Sequence, residues 1–332
     1  PPPPPPPPLF FFQAEDGIRD LVRSLWLGDV YKRQIPKRFK VEQQMLALME
    51  HPNIAKLIEV GMTRDGRPFF AMELVRGVPV TKYCDDKKLG IRERLGIFVD
   101  ACLAVNHAHQ KGVIHRDLKP SNILVMDDPS GPIVKVIDFG ISQATRGSDM
   151  LFTQAITARG ELLGTPVYMA PEQFSQNTSI DTRADIYALG AVLYELMVGR
   201  PPDGPSGAMT SDGLQGALIG ADSGITRPSA VLRRLDAGDR AILARQRDVS
   251  GMELQSLVSH DLEWIAMKAL ERDPEVRYAT VVGLVNDIRR SEANEPISAR
   301  SPSRRYIFQK YLRRNRGTVT VSYTHLTLPT KA

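Results

Sequence analysis

The stretch that decides the fold reads HRDLKPSN and occupies residues 115–122. It is followed by Asp-Phe-Gly at 138–140 and by Ala-Pro-Glu at 170–172. A polar loop capped by Asp and Asn would explain any one of these runs alone, because both residue types favour turns. The eight-residue run together with two tripeptides at these separations is far more specific. The combination is the strongest signal in the chain.

With these motifs the chain resembles the eukaryotic-type protein kinases, and the resemblance covers nearly all of residues 35–290. It implies an α+β, protein-kinase-like two-lobe fold with an incomplete N-terminal lobe and a mainly helical C-terminal lobe. The hydrophobic pattern agrees with this order, because short apolar runs typical of strands come before long amphipathic stretches typical of helices.

The local patterns predict individual elements. A helical stripe ends at His51-Pro52, since proline disfavours helix at the residue before it. Apolar runs at 54–60 and 68–74, on either side of Arg64-Asp65-Gly66, predict a hairpin. Strands are predicted at 123–125 and 133–137, and helices at 91–109, 186–198, 262–271 and 281–290. The Gly-, Asp- and Pro-rich stretch 201–257 predicts an irregular insertion with a few helical patches.

The resemblance assigns roles to the central motif. Phosphoryl transfer has a loose transition state, so the protein mainly positions groups and neutralises charge. Asp117 is implied as the catalytic residue that orients a substrate hydroxyl and accepts its proton, and Lys119 as the group that neutralises the transferring phosphate. Asn122 and Asp138 are implied as oxygen ligands of Mg²⁺. The implied cofactors are ATP and Mg²⁺, and the implied substrates are Ser/Thr hydroxyls of proteins, because Lys119 follows the serine/threonine-kinase pattern.

A second group of residues is implied to bind the nucleotide. Residues 72–75 resemble the hinge between the lobes, where the backbone of Glu73 and Val75 would hydrogen-bond adenine and Leu124 would form the floor. Glu42 lies where the family has a glutamate that pairs with a strand lysine. An exposed glutamate on a helix face is the plain alternative for Glu42.

Other matches concern support of the site. Asp185 resembles the buried aspartate that braces the catalytic loop, and Glu172 with Arg277 resembles a buried structural ion pair. Leu46, Leu57, His115 and Phe139 would stack as a hydrophobic spine, although ordinary core packing explains them equally well.

Two family features are missing from the sequence. No Gly-x-Gly-x-x-Gly run occurs, and Lys32, Lys37 and Lys40 lie too close to the first helix to be the strand lysine. We therefore expect the chain as written to bind ATP poorly and to have little or no transferase activity, whereas the parent protein would have both. The alternative is a non-catalytic, pseudokinase-like interaction module.

Both ends of the chain look foreign to this fold. Residues 1–34 begin with eight prolines and show no hydrophobic period, and residues 13–20 and 27–34 look like translated sequencing adapters. Residues 321–332 look like an adapter-derived tail. The alternative is a genuine disordered N-terminus and a short C-terminal strand. The interpreted organisation is a partial N-terminal lobe and hinge at 35–75, a C-terminal lobe at 76–290 and a basic, juxtamembrane-like linker at 291–320.

Composition limits the class of protein. With 42% hydrophobic and 24% charged residues over 332 positions, the chain can form a globular core. It has only two cysteines, which suits a reducing, cytoplasmic compartment, and no run of about 18 apolar residues that would span a bilayer. The net charge of +5 arises in the tail, because residues 289–316 hold nine basic residues against two glutamates.

The tail suggests a partner. The phrases at 73–80, 135–140 and 261–271 are similar to serine/threonine kinases of planctomycete-like bacteria. In those proteins a basic stretch like residues 304–316 often precedes a membrane helix, so the parent could be anchored in the inner membrane. Tyr306, Phe308 and Tyr311 among arginines favour an anionic membrane surface. A solvated linker is the alternative, and no nucleic-acid partner is expected.

Overall fold

A computed structural model describes residues 49–62, 68–139, 166–174, 180–202 and 224–314. Strands occupy the first part of these residues and helices dominate the rest. The strands are β1 (Leu57–Met62), β2 (Pro68–Met72), β3 (Val78–Pro79), β4 (Ile123–Met126) and β5 (Ile133–Val136). The predicted α+β class is confirmed.

The strands form two small antiparallel sheets. β1 and β2 make the predicted hairpin, with a register irregularity between Leu57 and Glu59. β3, β4 and β5 form a three-stranded sheet in that order. A parallel bridge between Ile54 and Val136 connects the segment before the hairpin to β5. Backbone hydrogen bonds therefore connect the segment before the hairpin to β5 of the second sheet.

Nine α-helices lie in the described residues. They are α1 (Val80–Asp86), α2 (Ile91–Gln110), α3 (Arg183–Val198), α4 (Pro228–Arg234), α5 (Ala237–Gln246), α6 (Gly251–Leu257), α7 (Glu263–Ala269), α8 (Val281–Glu292) and α9 (Arg304–Arg314). A π-helical turn, Val258–Leu262, joins α6 to α7.

Helix α3 is the centre of the helical part. Fourteen of its sixteen residues are buried, so it is enclosed by the fold around its whole circumference and not along one stripe. A Cβ added at Gly190 would lie 2.7 Å from the Cβ of Ala269, which shows that α3 and α7 pack at very close range. Gly199 ends the helix with φ of 77°, a left-handed conformation that favours glycine.

The stretch expected to be an irregular insertion differs from the prediction. Residues 228–257 contain helices α4, α5 and α6, and only residues 203–223 of the predicted insertion lie outside the described residues. Asp236 and Ser250 accept hydrogen bonds from Asp239 and Glu253 and so cap α5 and α6. The Gly- and Asp-rich composition that suggested a loop contains these cap signals.

No helix in the part of the chain that the structure covers is long and apolar enough to cross a bilayer. The predicted N-terminal helix with Glu42 and Leu46 lies outside the described residues, as do both adapter-like ends.

Candidate active site

The central motif forms a loop between α2 and β4 that ends in a short 3-10 turn, Pro120–Asn122. The Oδ2 atom of Asp117 lies 2.9 Å from Lys119 Nζ and 3.3 Å from Asn122 Nδ2. Asn122 Nδ2 also donates to the backbone oxygen of Asp117 at 2.7 Å. The loop thus brings together three of the residues singled out from the sequence, and it leaves Asp117 partly open to solvent.

Asp185, on α3, holds the backbone of this loop. Its fully buried carboxylate accepts hydrogen bonds from the backbone N–H groups of His115, at 2.8 Å, and Arg116, at 2.7 Å. His109 Nε2 lies 2.7 Å from the same carboxylate. Arg116 has φ of +67°, an uncommon conformation for a residue with a side chain. Three polar partners on one carboxylate hold the loop in this strained shape.

His115 links the loop to the next motif. Its Nε2 lies 2.8 Å from the carbonyl oxygen of Ile137, so Nε2 carries a proton and donates. Its ring centroid lies 4.6 Å from that of Phe139. Leu57 is partly buried and, with Met72, lines the small cavity that Phe139 also borders. Leu57, His115 and Phe139 therefore lie near one another, as the expected spine requires; its fourth member, Leu46, lies outside the described residues.

Asp138 completes the acidic part of the site. It has φ of +62°, and it is exposed at the edge of the small cavity that Leu57 and Phe139 also line. Loss of hydration raises the pKa of Asp138, the nearby His115 lowers it, and the negative charge of Asp117 raises it further. Asp117 and Asp138 therefore lie close enough to repel each other.

This donor set suits a hard divalent cation. The amide nitrogen of Asn122 is used within the loop, whereas its Oδ1 accepts only a long 3.5 Å hydrogen bond from Ser121 Oγ among the described residues and keeps a lone pair for a cation. A partly desolvated carboxylate that is repelled by a second carboxylate would be stabilised in its charged form by a cation. The oxygens of Asn122 and Asp138 are the ligand type that Mg²⁺ prefers.

The predicted hinge residues Glu73 and Val75 lie between β2 of the first sheet and β3 of the second. The backbone N–H of Glu73 donates to the Lys56 oxygen at 2.8 Å, so its carbonyl is the group left to accept from a ligand. Leu124 lies on β4, and a Cβ at Gly77 would approach the Leu124 Cβ to 3.1 Å. The segment that follows Val75 therefore passes close to Leu124 at Gly77.

The side chain of Glu73 is held in place by two partners. Lys135 Nζ lies 3.0 Å from Glu73 Oε2, and the backbone N–H of Lys56 donates to the same oxygen at 3.1 Å. Partial burial would raise the pKa of Glu73, but these two interactions outweigh it and lower the pKa. Lys135, 62 residues away in sequence, was missed by sequence reasoning because no local pattern connects it to the hinge.

Two further contacts stabilise the site from the Ala-Pro-Glu side. Glu172 and Arg277 form the predicted buried pair through two parallel hydrogen bonds of 2.6 and 2.8 Å. Gln173, which sequence reasoning missed, donates from Nε2 to the Arg116 oxygen and accepts from the Ala170 N–H. Gln173 thus ties this segment to the strained part of the catalytic loop.

A model of the family described as "Protein kinase domain" matches residues 28–282. The chain belongs to the protein kinase family. Kinases of this family use ATP and Mg²⁺ and act on protein substrates. The match begins seven residues before the start of the interpreted N-terminal lobe.

This kinase is similar to curated bacterial relatives. It is 31% identical over 266 residues to the serine/threonine-protein kinase PknB of Mycobacterium leprae, covering 79% of this chain and 37% of the relative. It is 32% identical over 254 residues to the serine/threonine-protein kinase Pkn1 of Myxococcus xanthus, covering 76% and 32%. The chain therefore spans about a third of the length of these relatives.

Solved structures agree on the fold. The kinase superimposes on the crystal structure of the PknI kinase domain of Mycobacterium tuberculosis with a TM-score of 0.50 and 23% identity. The alignment covers 77% of this chain and 79% of that one. At this level of identity the likeness supports the protein kinase fold alone.

Proposed function

We propose that this chain carries the catalytic lobe of a serine/threonine protein kinase, which transfers the γ-phosphoryl group of ATP to Ser or Thr hydroxyls of protein substrates. The observation that carries the proposal is the assembly of Asp117, Lys119 and Asn122 in one loop braced by Asp185. The names of the curated relatives support the choice of serine and threonine over tyrosine.

Each residue has a distinct role in this proposal. The Asp117 carboxylate orients the substrate hydroxyl and accepts its proton as the oxygen attacks phosphorus. The Lys119 ammonium, next to Asp117, lies where it can offset the negative charge of the transferred phosphoryl group. Asn122 and Asp138 would hold Mg²⁺, which supplies positive charge at the phosphates.

The nucleotide would lie against the hinge. The Glu73 carbonyl and the Val75 backbone would recognise the adenine edge, and Leu124 would contact its face. Lys135 supports this arrangement because it fixes the Glu73 side chain on the side of the hinge next to β5. Glu42 would pair with a strand lysine; Glu42 itself lies outside the described residues.

We expect the 332-residue chain itself to turn over slowly, since its sequence has no Gly-rich loop to cover the phosphates. Protein kinases commonly transfer about 1–100 phosphates per second. The test is transfer from radiolabelled ATP to a generic basic protein, followed by phosphoamino-acid analysis. Any transfer must fall on Ser or Thr and must disappear in Asp117→Asn.

The transfer assay needs a control variant with an intact site and a stated result that would contradict the proposal. Asp128→Asn removes an exposed carboxylate that bonds only Ser130 among the described residues, and it must leave any transfer unchanged. Transfer that persists in Asp117→Asn would contradict the proposed site. Nucleotide binding that is absent even at millimolar Mg-ATP would favour the non-catalytic interaction module.

The basic tail is proposed to contact an anionic membrane surface on the cytoplasmic side, and the parent protein to be anchored in the inner membrane. The charge of residues 289–316 supports this, because each Lys or Arg near an anionic surface contributes about 1 kcal/mol. Tyr306, which the sequence placed among the membrane-facing aromatics, is buried instead, so Phe308 and Tyr311 are the exposed aromatics of this helix.

A further inference from the structure

The tail helix α9 packs against the helical lobe with one face. We call this the inner face, and it carries Tyr306 and Lys310. The buried Tyr306 hydroxyl donates to Asp261 Oδ1 at 3.0 Å and accepts from the Ile297 N–H at 3.2 Å. Lys310, one turn further along, forms an ion pair with the same buried Asp261. Breaking such a pair would leave a buried charge without compensation, so the helix is held firmly.

The segment before α9 is fixed as well. Asp287, on α8, accepts hydrogen bonds from the backbone N–H groups of Ser298 and Ala299 at 2.7 and 2.8 Å. The Arg300 guanidinium lies 4.4 Å from the Tyr306 ring centroid and 5.7 Å from that of Trp264. The described part of the tail is therefore packed against the lobe and is not a solvated linker.

The opposite face of α9 carries apolar side chains that remain largely exposed to solvent. Phe308 is 60% exposed, Tyr311 54% and Ile307 44%, and Leu312 is partly exposed. On a helix, positions 304, 308, 311 and 312 share one side, which points away from that of Tyr306 and Lys310. We call Phe308, Tyr311 and Leu312 the outer ridge. A contiguous exposed apolar ridge indicates a binding surface.

The charges around the outer ridge define the partner. Among the described residues, Arg304, Arg305 and Arg313 have no carboxylate partner, whereas Lys310 pairs with Asp261 and Arg314 with Glu295. An apolar ridge flanked by unpaired arginines is the pattern of helices that lie in the interface of an anionic bilayer.

We infer that the outer ridge of α9 inserts into the interfacial layer of an anionic bilayer while its inner face stays clamped to Asp261. The inference rests on the proposed membrane contact of the tail and specifies which face makes it. Since the helix is fixed to the lobe, binding would also fix the orientation of the kinase lobe on the membrane, which a flexible tether would not do.

The first experiment measures sedimentation of the full 332-residue chain with vesicles of phosphatidylglycerol and phosphatidylcholine, and with phosphatidylcholine alone. We expect binding only to the anionic vesicles. The double variant Phe308→Ser/Leu312→Ser should lower the partition coefficient by about tenfold or more, because burial of large apolar side chains in the interfacial layer favours binding. Gln309→Ser, on the same helix but outside the ridge, should bind like the parent chain.

The second experiment asks whether α9 stays docked. In a Trp26→Phe background, Trp264 is the only tryptophan, and it lies against Arg300 of the clamped segment. Its emission should not shift when anionic vesicles bind. In Asp261→Asn, which weakens the clamp, emission should shift on binding because the segment can leave the lobe.

The outcomes separate the inference from the proposal on which it rests. No binding to anionic vesicles by any variant would refute the membrane contact itself. Anionic binding that Phe308→Ser/Leu312→Ser leaves unchanged would refute the ridge alone, since charge would then suffice. A shift of Trp264 emission in the parent chain would refute the docked geometry. Tighter binding to duplex DNA than to anionic vesicles at matched salt would also overturn the inference.

Discussion

Replacing Asp185 tests whether the catalytic loop depends on one buried carboxylate. The Asp185→Ala change removes the acceptor of the His115 and Arg116 N–H groups and of His109 Nε2. A buried donor left without a partner costs about 1–3 kcal/mol, so losing two backbone acceptors costs roughly 2–6 kcal/mol. Because small domains are stable by only about 5–15 kcal/mol, this is a large part of the total.

Urea unfolding of the full chain, followed by circular dichroism, measures this loss. Asp185→Asn keeps the shape but places an NH₂ group against at least one backbone N–H, so we expect a smaller loss of about 1–3 kcal/mol. Asp86→Asn is the matched control, since it removes only an exposed pair with Lys82 and should cost at most about 1 kcal/mol. A loss below about 1 kcal/mol for Asp185→Ala would refute the bracing role.

Three further predictions concern other parts of the lobe. Glu172→Gln leaves the Arg277 charge buried without its carboxylate partner and should destabilise the fold by about 3–5 kcal/mol in the same unfolding assay, while adding Arg277→Met should recover part of that loss. Asp138→Asn removes a charge that Asp117 repels, so without divalent cations its melting temperature should equal or slightly exceed that of the parent; a clear decrease would contradict the proposed repulsion. Burial and the adjacent His107 lower the pKa of His51, so the unfolded chain takes up a proton first and stability should fall as pH drops below about 6.5. In His51→Gln, the free energy of unfolding should fall less steeply as the pH drops below about 6.5. An unchanged pH dependence would refute the attribution of this effect to His51.

Local pattern and motif chemistry were sufficient for much of the fold. The apolar period of residues 91–109 predicted α2, which ends one residue later at Gln110. The catalytic loop, the brace by Asp185 and the Glu172–Arg277 pair followed from the resemblance. The hairpin was predicted from two apolar runs on either side of a turn signal. These features share a strong local signal or a specific motif.

The missed features depend on contacts between distant residues. Gln173 meets Arg116 across 57 residues, and Tyr306 meets Asp261 across 45 residues. Nothing within either segment indicates such a partner. The sequence therefore grouped Tyr306 with the aromatics that favour a membrane surface, whereas the structure buries Tyr306 against the lobe. Helices α5 and α6 were a different case, because their caps at Asp236 and Ser250 could have been found in the sequence.

The central claim is that Asn122 and Asp138 hold a divalent cation with the nucleotide, next to Asp117. The most direct measurement is the enhancement of water-proton relaxation when Mn²⁺-ATP binds the chain, titrated to millimolar concentration. The account predicts enhancement for the parent chain and for the Asp128→Asn control, and at least about tenfold weaker binding for Asp138→Asn. Equal enhancement in the parent and Asp138→Asn chains would contradict it.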